Sequence, residues 1–351
     1  MTDFVHLHCH SEYSLLDGMS TPQEMAKTSS RNGQYASAIT DHGTMGGVLK
    51  FQDACIKESV KPIFGIEAYF VPEIKGDGDG KHERFHLILL AKNNEGLNKL
   101  FKASRTGWVD NFYYKPRMDF ELLEDLVDDD IIALSGCRGS SIAKAIESGN
   151  YSRAEQLSER FVKIFKDDFY FEIQAWNPKA INDGLIDLSK AFDKKVVATA
   201  DCHFPTHEEK GCEEVLLMVS QYPSLSAGEE RYAKENMPVH NDPDSSIVDK
   251  INKMYPQRSL RFDDINPYMA DADTVYSWFQ DAGYSEISYL ENTIEVAEKC
   301  TATIEKRKNL LPKYSKLFNS DDYIRELTEF ELKNRGLGDD YKARLEEELG
   351  I

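Results

Sequence analysis

No apolar run in this chain approaches the about 20 residues that a membrane-spanning helix needs, so no membrane segment is expected. A basic start followed by an apolar stretch is missing too, and Thr2 stands where a myristoylated chain carries glycine. Neither a secretory leader nor a lipid anchor is therefore expected, and a cytoplasmic setting is. Positive charge is scarce: Lys and Arg total 42 against 61 Asp and Glu, a net charge of -19. That excludes a broad nucleic-acid footprint of basic side chains. It leaves room for a narrow site in which bound metal ions supply the positive charge. The six cysteines, Cys9, Cys55, Cys137, Cys202, Cys212 and Cys300, contain no CxxC pair. Zinc-finger and thioredoxin readings lose their support, and reduced thiols are the default. There is no low-complexity tract.

Histidine, by contrast, is crowded. Three of the chain's 9 histidines fall within "HLHCH", residues 6–10. Around them runs a regular rhythm. Short apolar, β-branched stretches occur at 4–8, 36–40, 61–70, 85–91, 131–137, 169–174 and 195–203, separated by helix-like segments. "TPQEMAKTSSRNG" has a Thr cap, Pro in the first turn and a Gly stop. "NNEGLNKLFKASRTG", "SRAEQLSERFVKIFK" and the shorter "IDLSKAF" space their apolar residues as helices do. Alternating strands and helices mean parallel strands with right-handed crossovers. Seven units point to an α/β barrel, with a doubly wound sheet as the alternative. The stretch 72–84 is rich in Gly and charge and reads as a mobile loop. After about residue 205 the rhythm stops. Residues 206–220 read as helix and 239–272 as irregular connection. Helices are expected again at 288–300, at 320–336 with a Ser cap, and over "DDYKARLEEELG".

Polar residues gather at the ends of these strands. The first ends at His8 with His10 beyond it, the second at Asp41 and His42, the fifth at Cys137, the seventh at Asp201 and His203. Glu67 lies late in the third strand, and His86 lies inside the fourth, where it fits the pattern less well. In parallel α/β folds such ends share one face, where chemistry is built. Imidazole and carboxylate suit zinc, manganese and iron, and thiolate suits zinc. Side chains alternate along extended backbone, so "HLHCH" should turn His6, His8 and His10 to one side, and "DCH" does the same for Asp201 and His203. So many donors exceed one tetrahedral ion. Two or three metals with a bridging carboxylate would activate water and clamp a phosphoryl group. Each feature alone has an ordinary explanation: a plain strand for H-x-H, a helix cap for "TDHG", a small buried residue for Cys137. His82, His207 and His240 read as solvated loop residues.

The segments "HLHCHSEYSLLDG", "AITDHGTMGG", "PIFGIEAY", "FHLILLAKNNEGLNKL", "FYYKPRMD", "ALSGCRGSSIAKAI" and "ATADCHF" resemble the polymerase-and-histidinol-phosphatase (PHP) domain of bacterial DNA polymerase III alpha subunits. The resemblance runs from residue 4 to about 220 and resumes near 288, where the later helices look like the join to a polymerase palm. It implies a distorted seven-stranded βα (TIM-like) barrel over 1–220, an irregular connection over 221–287, and a mostly helical segment over 288–351. It also implies a three-metal site, with zinc, manganese or iron as the divalent ions. His8, His10, Glu67 and Asp201 would hold one ion. Glu67, His86 and Cys137 would hold a second, and Asp17, His42 and His203 the third. Asp17 enters by the resemblance alone.

The implied activity is metal-dependent phosphodiester hydrolysis, a 3′–5′ exonuclease acting on a DNA 3′ end. The rest of a polymerase and other replisome subunits are the implied partners, and no DNA synthesis is expected from this chain alone. The alternatives are a catalytically silent structural module and a small-molecule phosphatase of the histidinol-phosphate type. Asp41 is a candidate to support the ligands from behind. Lys115, Arg117 and Arg138 are candidate DNA contacts, and Tyr13, Tyr113 and Tyr114 candidate stacking partners. His6 matches no ligand position, and Cys9 is expected to pack in the barrel wall.

Overall fold

The computed structural model describes residues 3–74, 84–221, 245–256, 258, 261–262, 264–306 and 317–350. They form two compact units, 1–304 and 305–351. His82, His240 and most of the 72–84 loop lie outside the described residues.

The first unit is an α/β structure around one curled, mixed sheet. Its strands are β1 (Ala36–Ile39), β2 (Lys61–Phe70), β3 (Phe85–Ala91), β4 (Phe112–Tyr113), β5 (Lys115–Met118), β6 (Ile131–Leu134), β7 (Phe169–Gln174) and β8 (Val196–Thr199). The spatial order is β4-β5-β2-β3-β6-β7-β8, with β1 alongside β2. The chain's opening segment lies between the two free sides. Ala38 N–H donates to His6 O at 2.9 Å and Thr40 N–H to Cys9 O at 2.9 Å; His10 N–H donates to Cys202 O at 2.7 Å and Cys202 N–H to His8 O at 3.0 Å. Residues 6–10 thus join β1 to the end of β8 by ladder-type bonds. The stretch 4–8, expected as a strand, contains no regular one.

A second correction concerns direction. β3 runs antiparallel to both β2 and β6, whereas β1–β2, β6–β7 and β7–β8 are parallel as expected. A parallel neighbour needs a crossover element, and the Gly-rich 72–84 stretch has no helical pattern to supply one. This reversal carries the start of β3, and His86 with it, to the edge where the other strands end.

The interior shows period-two alternation. Val5, Leu7, Ala36, Ala38, Ile63, Ile88, Leu90, Ile132, Leu134, Tyr170 and Val197 form one apolar cluster. Val296, Ala297 and Cys300, from the helix Ser288–Lys299 and the residue after it, close that cluster at one end. Continuing two residues at a time toward the other end, the inward positions turn polar. Tyr170 is followed by Glu172 and Gln174, Val197 by Thr199 and Asp201, Ala38 by Thr40 and His42. The alternate residues, such as Ile39, Leu87, Ala133, Phe171 and Ala198, face the outer helices.

Among those helices, α1 (Pro22–Arg31) has the expected start: Thr21 and Glu24 form a capping box, with Pro22 in the first turn. Asn93 caps the helix Asn94–Val109, and the helix Tyr151–Phe165 presents Leu157, Phe161 and Phe165 to the outer core. The stretch 239–272, expected to be irregular, contains the helix Ile247–Met254.

The second unit is a pair of helices, Ser320–Asn334 and Asp339–Leu349. Asn319, not Ser320, caps the first, accepting from Asp321 N–H at 2.9 Å. Among the described residues, no helix is long and apolar enough to cross a membrane.

Candidate metal centre

Glu67 sits at the middle of the polar rim with 1% of its surface exposed. Four imidazoles converge on it: His42 Nδ1 at 2.6 Å, His86 Nδ1 at 2.9 Å, His10 Nε2 at 3.2 Å and His8 Nε2 at 3.3 Å. Cys137 Sγ is 3.7 Å from Glu67 Oε1 and 3.3 Å from His86 Nδ1. Beside this group, Asp201 Oδ1 lies 3.0 Å from His8 Nε2 and 3.1 Å from His10 Nε2. Asp17 Oδ2 lies 3.0 Å from His42 Nε2 and 3.3 Å from His203 Nε2. All nine residues expected at a metal site are therefore brought together. His6 is not with them. The alternation slips between Leu7 and His8, since Val5 and Leu7 face the interior but His8 and His10 do so next. His6 is left on the outer side with Cys9 and Cys202.

Local backbone delivers these side chains. Gly136, at φ 92°, brings its Cα against β3; a Cβ there would lie 2.6 Å from His86 O. Only glycine allows that approach, and it sets Cys137 beside His86. Two non-glycine residues at the site lie in the left-handed region: Leu16 at φ 62°, just before Asp17, and Asp201 itself at φ 46°. For leucine that conformation costs about 1–2 kcal/mol, a strain that the surrounding hydrogen bonds must hold.

The outer nitrogens decide the tautomers. His8 Nδ1 donates to Glu172 Oε1 at 2.7 Å, and His203 Nδ1 donates to Asp201 O at 2.6 Å, because neither oxygen can do other than accept. His10 Nδ1 donates to Ser14 Oγ at 2.9 Å, which itself donates to Asp41 Oδ1 at 3.0 Å. Asp41 thus supports the site through Ser14, and also accepts from Ser11 N–H at 2.6 Å. When neutral, each of these imidazoles is left with an Nε2 lone pair aimed inward. His8 and His10 Nε2 meet at 3.2 Å.

Asp17 Oδ2, His42 Nδ1 and Glu67 Oε2 are buried with no hydrogen-bond partner among the described residues. His42 Nδ1 and Glu67 Oε2 are close but not aligned for a hydrogen bond. Converging lone pairs and orphaned acceptors fit divalent ions, and the N, O and S donors suit zinc, manganese or iron.

The electrostatics agree. Burial opposes charge on His8, but Asp201, Glu172 and Glu67 outweigh it and raise its pKa well above the usual range. His42 is raised likewise, by Glu67 and Asp17 against burial, and His203 reaches about 10, with Asp17 and Asp201 opposing burial. Burial would raise the Asp17 and Glu67 carboxyls, but the imidazoles facing them hold both well below the ordinary carboxylate value. The rim carboxylates thus favour positive charge beside them, whether on protonated imidazoles or on bound cations. Burial, then Asp201 and Glu67, push the Cys137 thiol up; a soft cation is what would make it a thiolate.

Residues 6–175 match the family model described as "PHP domain". The chain contains a PHP domain. It is 32% identical over 374 residues to the DNA polymerase III subunit alpha of Aquifex aeolicus, covering 99% of this chain and 30% of that protein. The same subunit of Deinococcus radiodurans is 36% identical over 242 residues, 65% of this chain and 18% of that one. The chain spans less than a third of the length of these relatives. Among solved structures, a protein of Bifidobacterium adolescentis provisionally assigned as a metal-dependent phosphoesterase overlays with TM-score 0.40 at 14% identity, covering 57% of this chain and 88% of that one. An amidohydrolase of Chromobacterium violaceum with bound sulfate overlays with TM-score 0.39 at 14% identity, covering 57% and 87%.

Two cavities of about 500 Å³ open onto the PHP rim, and Asp17 and His42 line both. Of the candidate strand contacts, Lys115 lines one cavity with Tyr13 and Trp108, and Arg138 lines the other while paired with Glu147 at 2.5 Å. Arg117 turns away, donating to Asn111 O at 3.2 Å and lying over the Tyr113 ring. Tyr113 and Tyr114 pack edge to face. His207 is exposed in a short 3-10 turn.

Two residues escaped the sequence reading. Glu172 is fully buried and binds His8, Gln174 and Thr199; its signal was a lone acid in the apolar run "FYFEIQ". Glu213 is fully buried with both carboxylate oxygens unpartnered among the described residues. Burial raises its pKa to about 8 against the pull of His203. In "GCEEV" nothing distinguishes it from a surface acid.

Proposed function

We propose that the chain hydrolyses phosphodiester bonds at the 3′ end of DNA, as a 3′–5′ exonuclease that removes misincorporated nucleotides. The nine rim residues would hold three divalent ions in the grouping given above, with Glu67 shared. The observation that carries this reading is the meeting of His8 Nε2, His10 Nε2 and Asp201 Oδ1 within 3.2 Å, three atoms that one cation could share. Ions so held supply Lewis-acid charge to a phosphoryl group and lower the pKa of bound water. The chain's own residues do the rest. Glu172 and Ser14 fix the rings of His8 and His10, which keeps both Nε2 atoms facing inward. The apolar wall beneath excludes water and strengthens every charge interaction at the rim. Lys115 and Arg138 stand at the two cavities as contacts for the strand backbone. The rest of a polymerase and other replisome subunits are the proposed partners.

The test is a 3′-labelled single strand and a mismatched primer incubated with the purified chain and Mn²⁺, Zn²⁺ or Mg²⁺. Nucleotides lost from the 3′ end by the wild type, and not by His10→Ala or Asp201→Asn, support the exonuclease. Turnover of histidinol phosphate in place of DNA would replace it with a small-molecule phosphatase. Full metal loading with no hydrolysis of either substrate would leave a structural module.

A further inference from the structure

The two segments that carry the rim ligands have a second side. His8 and His10 alternate with Cys9, and Asp201 and His203 with Cys202, so each cysteine turns away from the rim. The segments are held in register by His10 N–H to Cys202 O at 2.7 Å and Cys202 N–H to His8 O at 3.0 Å. This places Cys9 directly opposite Cys202. The slip at Leu7 brings His6 to the same side. One nitrogen and two sulfurs, His6 Nδ1, Cys9 Sγ and Cys202 Sγ, then lie within 4.8 Å of one another, and all three residues are at most 1% exposed.

We infer that His6, Cys9 and Cys202 form a separate structural site for one thiophilic cation, with zinc as its most suitable occupant. His6 Nε2–H donates to Ala270 O at 2.8 Å, which leaves the Nδ1 lone pair facing Cys202 Sγ at 3.3 Å. A backbone carbonyl on the outer nitrogen is the usual orienting partner of a metal-bound imidazole. Nitrogen and sulfur donors on a tetrahedral zinc sit about 3.5 Å apart, close to the 3.3 Å between His6 Nδ1 and Cys202 Sγ. Tyr268 O, 3.4 Å from Cys202 Sγ, is a fourth donor at hand. Two thiolates and a neutral imidazole balance a divalent charge, so the filled site is neutral within the buried, apolar wall. Full burial leaves no open position for a substrate, which makes the role structural. A cation here would pin residues 6–10 to the end of β8, and so fix the backbone from which His8, His10, Asp201 and His203 project. The site is independent of what the rim catalyses.

Cobalt substitution tests it. In the reduced chain carrying Cys137→Ser, the rim has no thiolate, so a thiolate-to-Co²⁺ absorption in the near ultraviolet comes from among Cys9, Cys55, Cys202, Cys212 and Cys300, and its loss with Cys9 and Cys202 assigns it to those two. That band is expected, together with loss of the band and of about one metal equivalent when Cys9→Ser and Cys202→Ser are added. Zinc should compete the cobalt away and protect both thiols from alkylation. Absence of the band in the Cys137→Ser chain overturns the site, and that spectrum stands even if the triple variant does not fold. A Cys9–Cys202 disulfide recovered under the same reducing conditions also overturns it.

Discussion

The two ends of the barrel interior are built from the same strands and solve opposite problems. At the end closed by the helix Ser288–Lys299, inward residues such as Ile88, Leu90, Ile132 and Leu134 are fully buried and apolar. That end gains stability in proportion to the area it removes from water. Two to four residues further along β2 and β7 and just past β8, the inward positions are Glu67, Glu172 and Asp201. Here charge is buried among imidazoles, at a cost that ion pairing only partly offsets. One end therefore holds the fold, and the other spends stability on a cluster of donors that could hold cations.

Substitutions should separate the ends cleanly. The largest effect is expected from Asp201→Asn or His10→Ala, which remove a rim donor. Hydrolysis of a phosphodiester should fall on the order of 10³-fold, while amide exchange in β6 and β7 keeps its protection. Leu134→Ala is the converse. It should lower unfolding free energy by about 2–5 kcal/mol in a denaturant titration and leave kcat/KM per folded chain unchanged. A matching loss of activity would show the two ends to be coupled. Glu172→Gln sits between them, keeping volume but weakening the partner of His8. Metal affinity should drop about 10–100-fold in a chelator competition, with little change in folding. The smallest effect belongs to Lys115→Ala at the cavity lip. Binding of a labelled single strand should weaken a few-fold, and the slope of log K against log salt should fall by about 1.

The same contrast explains what could be read from the sequence. The apolar strands were legible because burial imposes period two on residue type; β2, β3 and β7 have the bounds their apolar runs suggest. Most of the residues gathered at the rim were legible because they stand where those runs end. His86 fitted poorly only while β3 was taken as parallel, and direction depends on a connection whose composition does not encode it. His6 was misplaced because a one-residue slip flips a side chain to the other face, and "VHLHCH" gives no sign of the slip. Asp17 came from resemblance, since it sits on a strained loop rather than a strand end. Glu213 was invisible because its burial is made by tertiary packing of the helix Lys210–Gln221, whose own pattern allows an acid there.

The most direct measurement is the metal content of the purified, reduced chain, by native mass spectrometry, for wild type against Asp201→Asn and His10→Ala. The wild type should carry several divalent ions per chain, and each variant should lose ions while remaining folded. A wild-type chain that binds no divalent ion at micromolar concentrations, or variants that keep the full complement, would contradict the metal centre.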